Sequence, residues 1–177
     1  HASVGELPFD DESLDFAYCL GVLHHIPDTQ VGIGEIARKL KPGAPLLVYM
    51  YYAFDNRPIW FRFIWKISDL IRKIICRMPT KLKHLSCDLI AYTVYLPITR
   101  IGRLLNRIIQ LNSNWPLYYY INCSMYVLRT DALDRFGTRL EKRFSKKQIE
   151  KMLTNEGFVE LNFSDGIPRW CVTGLKK

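Results

Sequence analysis

Apolar and polar positions divide the chain into three stretches with different periods. In residues 1–54 the first is a short, mostly apolar run, Leu14 to Leu20, which reads as a strand and stops at Gly21. Asp28 then stands where an N-cap accepts the free amides of a first helical turn. Behind it Ile33, Ile36, Ala37 and Leu40 recur at helical spacing. Gly32 and Gly34 interrupt this helix at about 1 kcal/mol each relative to Ala, so packing on a sheet has to compensate. Pro42-Gly43 ends it. Residues 45–52 are apolar on both alternating faces, the pattern of a central parallel strand. Strand, helix, strand in this order predicts a right-handed βαβ crossover.

From residue 55 to about 130 the period turns helical. Trp60, Phe63, Ile64, Ile67, Leu70, Ile71, Ile74 and Ile75 keep a helical period, and Arg62, Lys66, Asp69, Arg72, Lys73 and Arg77 fill the other face. A second helical stretch covers about 84–111, with a bend expected near Pro97. The last stretch, 131–177, is mixed. Ser145 to Gln148 spells a capping box, with Ile149, Met152 and Leu153 behind it and Gly157 as the stop. Residues 158–163 and 170–175 then alternate as two strands joined by a turn at Asp165-Gly166, a terminal antiparallel hairpin.

With 177 residues, 49% hydrophobic and 24% charged, the chain has a globular balance, and disorder is excluded as its main state. The net charge of +8 permits nucleic acid, an anionic membrane surface or an acidic substrate as partner, but a solvated basic face is the commoner outcome, and for the enzyme reading below no nucleic-acid partner is expected. Five widely spaced cysteines form no CxxC pair, so neither a metal nor a redox motif is supported. Reduced thiols and a cytoplasmic location are the expectation. The opening residues lack the basic start and apolar core of a leader, and the chain is expected to begin inside a longer product.

The chemistry concentrates at Leu7-Pro8-Phe9-Asp10-Asp11-Glu12-Ser13-Leu14-Asp15-Phe16, Gly21-Val22-Leu23-His24-His25-Ile26-Pro27-Asp28 and Arg38-Lys39-Leu40-Lys41-Pro42-Gly43. In order and spacing these segments resemble the class I S-adenosylmethionine-dependent methyltransferase family, in its small-molecule branch. Leu14 stands for the usual Phe and Ala44 for a second Gly. The resemblance implies an α/β, Rossmann-like sheet whose N-terminal strands lie upstream of His1. A partial methyltransferase domain would then run over 1–177, with a βαβ core at 1–54, a helical insertion at 55–130, and a C-terminal helix and hairpin at 131–177. It implies S-adenosyl-L-methionine as cofactor, met by Ser3 and Val4 at the adenine and by Cys19, Leu20, Gly21 and His25 near the strand end. Ser3 replaces the family's usual Asp there.

His25 and His24 are the candidate bases. Tyr52, Asn56, Arg57 and Trp60, which follow the second strand, are candidates for the acceptor pocket, while Tyr51 is expected in the core. A small or amphiphilic methyl acceptor is the expected substrate. Residues 1–177 alone, without the glycine-rich loop and ribose-binding acid that the family carries upstream, are expected to be inactive. A competing expectation is a non-enzymatic module whose basic helices hold a membrane surface or a nucleic acid. Peripheral contact with a membrane is compatible with either.

Overall fold

The aspartate before the first long helix behaves as its position predicts. In the computed structural model, which describes residues 2–54, 58–111, 115–164 and 169–177 (Arg169 by its backbone only), the Asp28 carboxylate accepts from the amides of Gln30 at 2.9 Å and Val31 at 3.3 Å. Helix α1, Thr29–Lys39, follows. It connects strand β1, Ala17–Leu20, to strand β2, Pro45–Tyr51, and the two strands pair in parallel from Ala17–Leu46 to Leu20–Tyr49. The predicted βαβ unit is present. Its first strand is shorter than the apolar run, because Leu14 makes only an isolated bridge to Leu40.

The chain separates into two compact units, His1–Arg57 with Leu140–Lys177, and Pro58–Arg139. In the first, helix α6, Lys146–Asn155, opens on the expected capping box. Strands β3, Phe158–Phe163, and β4, Arg169–Lys176, follow it. The sheet order is β1-β2-β4-β3, with β4 inserted antiparallel between β2 and β3. A bulge between Val159 and Asn162 lets β3 bend, with Glu160 at a positive φ of 53°. The turn at Asp165-Gly166 lies outside the described residues.

Ile33, Ile36 and Ala37 of α1 and Ile149 and Leu153 of α6 bury the sheet face formed by Leu46, Val48 and Met50. Gly32 is explained by this packing. A Cβ on Gly32 would stand 2.6 Å from Ile26 Cδ1, and one on Gly34 would stand 2.9 Å from Glu156 Oε2. At Gly32, wedged against Ile26 and Leu23, close approach favours glycine, whereas at Gly34 the near atoms are the movable carboxylate end of Glu156; the buried contacts of α1 offset the lost helix propensity. On the opposite face, Tyr18 and Leu20 are exposed.

The second unit is helical: α2, Ile59–Ile75; α3, Thr80–Ile90; α4, Leu96–Ile109; and α5, Met125–Gly137. Its core is Ile75, Cys87, Ala91, Tyr95, Leu128, Ala132 and Phe136. Just before Pro97, where a bend is expected, a π-helical segment, Ala91–Tyr95, joins α3 to α4. A widened turn just before the proline suits a ring that has no N–H and crowds the carbonyl four residues back.

Candidate functional site at the carboxyl ends of two parallel strands

Open α/β sheets hold their ligands beyond the carboxyl ends of the strands. Here β1 runs out into Gly21, whose amide donates to the Tyr49 carbonyl at 3.2 Å and whose φ is +76°. That left-handed conformation favours glycine, and an added Cβ would meet nothing closer than the Tyr49 ring at 3.9 Å. Backbone conformation, not crowding, therefore calls for glycine at this position.

A short 3-10 turn, Leu23–His25, carries both histidines. His24 is fully buried and stacks on Tyr51, ring centroids 3.8 Å apart. Tyr49 meets it edge-on, and His25 lies 4.3 Å away. Among the described residues neither ring nitrogen of His24 has a hydrogen-bond partner. Burial, and next the neighbouring His25 and the Arg143 guanidinium, push its pKa down to about 3, so the ring is neutral at physiological pH. His25 is held differently. Its Nδ1 lies 2.7 Å from the Leu140 carbonyl, which can only accept. Nδ1 therefore carries the proton, and the Nε2 lone pair is left to act as an acceptor.

The segment Leu140–Phe144 completes the wall. The Lys142 amide donates to the His24 carbonyl at 2.9 Å, and the Phe144 amide to that of Tyr51 at 2.9 Å. Arg143 places its guanidinium 5.0 Å from the Tyr51 ring centroid and 4.6 Å from that of Phe54, and it pairs at 2.6 Å with Glu141, whose side chain is 5% exposed. Tyr51, Glu141 and Arg143 escaped the reading of the sequence. No local pattern marks residues 140–144; tertiary pairing brings them here, through the parallel bridge of Phe144 to Tyr52 and the bonds of Leu140 and Lys142 to the histidines.

The predicted site residues are distributed unevenly. Gly21, His24 and His25 converge. Cys19 is buried, and burial raises its thiol pKa. Leu20 is exposed. Val4 packs toward the same turn, its Cγ1 lying 3.7 Å from where a Gly32 Cβ would be, beside Leu23 and Ile26. Ser3 is exposed and accepts from the Gly5 amide at 3.3 Å. The expected roles of Tyr51 and Tyr52 are exchanged. Tyr52 continues the buried row Leu46, Val48, Met50 and is 3% exposed, while Tyr51 points to the histidines. The strand's period of two leaves no other choice once Leu46 faces the helices. Trp60 lies in α2 of the helical unit, half exposed. Asn56 and Arg57 lie outside the described residues.

For S-adenosylmethionine, the fit rests on three features: a glycine turn without a side chain, an aromatic wall of Tyr49 and Tyr51, and a buried imidazole with unspent hydrogen-bonding capacity. Among the described residues no cluster of three His, Cys, Asp or Glu is arranged to hold a metal.

Residues 1–48 match the methyltransferase domain family. Similar solved structures include a SAM-dependent methyltransferase from Thermotoga maritima, described as a possible histamine N-methyltransferase (14% identity, TM-score 0.49). A SAM-dependent methyltransferase from Methanosarcina mazei (16%, 0.48) and human N-acetylserotonin methyltransferase in complex with SAM (14%, 0.47) are others. Each alignment covers 99% of this chain, which spans 62%, 65% and 32% of their respective lengths. A parallel β1–α1–β2 unit, closed by a hairpin whose last strand inserts antiparallel beside β2, defines a Rossmann-like α/β class. The family match lies within this unit, over β1, α1 and most of β2.

Proposed function

We propose that the protein of which this chain is a part transfers a methyl group from S-adenosylmethionine to a small or amphiphilic acceptor, with the reacting centre beyond Gly21 and beside His24, His25 and Tyr51. The observation that carries this reading is the Gly21–His25 turn, which lies at the carboxyl end of a parallel strand inside the segment that matches the methyltransferase family.

When bound, the cofactor supplies an electrophilic methyl group on a sulfonium with a good leaving group. The chain then has little covalent work to do; it aligns, excludes water and, for some acceptors, removes a proton. Gly21 leaves the strand end free of a side chain. The tyrosine faces of Tyr49 and Tyr51 suit a cationic centre. His24, neutral with a pKa of about 3, is a poor base at physiological pH and a good positioning group, able to donate one hydrogen bond and accept another. His25 is the better base, because the Leu140 carbonyl fixes its tautomer and leaves Nε2 to take the proton.

The test uses the whole protein and cofactor carrying a labelled methyl group. Calorimetry should show cofactor binding, and Gly21→Trp should abolish it while leaving the fold intact by circular dichroism. Unchanged cofactor affinity in Gly21→Trp would overturn the placement. No cofactor binding by the folded whole protein would overturn the activity and leave the non-enzymatic module standing.

A further inference from the structure

Helix α2 presents the wrong face to its own unit. Trp60, Phe63, Ile67, Leu70 and Ile74 follow one another at steps of three and four along a single stripe, Ile71 lies beside them, and each of the six is 40% to 64% exposed. The side turned inward carries a charged pair. Arg72 is buried, takes Asp69 at 2.7 Å, and donates to the carbonyls of Thr138 at 2.9 Å and Arg139 at 3.2 Å. An ordinary surface helix has the reverse arrangement. Exposed Arg62, Lys66 and Lys73 border the apolar stripe along one edge. Helix α4 repeats the pattern: Ile101, Leu104 and Ile108 are 51% to 80% exposed, with Arg100 and Arg107 exposed beside them.

Charge says what meets this face. Residues 58–139 contain 13 Lys and Arg against four Asp, a net +9, while the remainder of the chain carries 12 basic and 13 acidic residues, a net −1. The whole excess of +8 therefore sits in the helical unit. Three of its four carboxylates are already engaged: Asp69 with Arg72 and Lys73, Asp88 with Arg129, and Asp131 with the Tyr120 hydroxyl. A second copy of so basic a face would repel it. Among the described residues no helix is long and apolar enough to cross a membrane. An exposed apolar stripe with tryptophan and phenylalanine, edged by long cationic side chains, fits the headgroup boundary of an anionic bilayer, where the rings and aliphatic chains enter and the cations stay at the phosphates.

We propose that α2, assisted by α4, seats the protein on an anionic membrane surface with the helix axes in the plane of the interface. This goes beyond methyl transfer and does not depend on it.

Vesicle flotation of the whole protein tests it, using phosphatidylcholine alone and phosphatidylcholine with about one third phosphatidylglycerol. Association should be at least about tenfold stronger with the anionic vesicles and weaken as salt is raised. Leu70→Glu with Ile74→Glu should reduce it at least about tenfold, and Arg62→Glu with Lys66→Glu about fivefold or more per cation reversed. All four positions are exposed, so circular dichroism should stay unchanged. Brominated lipid should quench tryptophan fluorescence in the parent protein, and Trp60→Phe should remove most of that quenching. The proposal is overturned by a lack of flotation at low salt, or by flotation that survives the glutamate pairs. It is equally overturned if the stripe mediates self-association, seen as a concentration-dependent dimer in sedimentation that Leu70→Glu dissolves while vesicles stay unbound.

Discussion

At the scale of single residues, His24 has the largest consequence. Its folded pKa of about 3 lies below the ordinary 6.5, so the unfolded chain binds the extra proton first. Stability that is fully present above about pH 6.5 should fall as pH drops toward about 3, by on the order of 2 kcal/mol at about pH 5. Urea midpoints at pH 7 and 5 check this. His24→Phe, which keeps the stack on Tyr51, should flatten the difference, and an equal acid loss in the variant would show that other groups carry it. Gly21 makes a second case. Gly21→Ala should cost about 1–2 kcal/mol through its φ alone, since no atom crowds the new methyl. Gly102→Ala should destabilise by collision instead, because its Cβ would stand 2.6 Å from Trp115 Nε1 and 3.0 Å from Ile121 Cγ2. Thermal melts of the two variants, with Gly43→Ala as a φ-only control at +80° and no neighbour within 4 Å, separate strain from clash.

At the scale of elements, local signals were sufficient where a helix end is decided by its own residues. Asp28 and Ser145 cap as their positions require, and Gly157 stops α6 with a φ of +80°. Ser145→Ala should lower stability by about 1 kcal/mol, read as a shift of the denaturation midpoint, because the hydroxyl that accepts from the Gln148 amide is lost while the Ser145 amide keeps its bond to the Gln148 side chain. The strands were legible as runs but not as faces. An apolar strand without polar alternation does not say which side meets the helices, so Tyr51 and Tyr52 exchanged their expected places. The π-helical segment before Pro97 was not legible, since the sequence shows the proline but not the turn that accommodates it.

At the scale of the whole molecule, β1 is an edge strand whose exposed side chains include Tyr18 and Leu20. An open edge of this kind invites pairing with another chain. Residues 1–177 alone should therefore aggregate on concentration and bind S-adenosylmethionine weakly or not at all. Light scattering and calorimetric titration check both, and micromolar affinity for the isolated chain would refute the second. Charge is equally uneven at this scale, with +9 in the helical unit and −1 in the rest. Composition reported only the sum.

What the linear order of residues decided was everything that depends on near neighbours: the periods, the caps, the glycine and proline stops, and the three motif segments that resemble a methyltransferase. What required the folded chain was every pairing across distance. Leu140 and Lys142 reach the histidines because residues 140–144 lie beside the end of β2, more than a hundred positions from His24. The stripe on α2 was readable as apolar, but only packing showed that Arg72 and Asp69 turn inward and leave the apolar side facing water. Periodicity defines the two sides of a helix; which of them is buried depends on the partners that tertiary contact supplies.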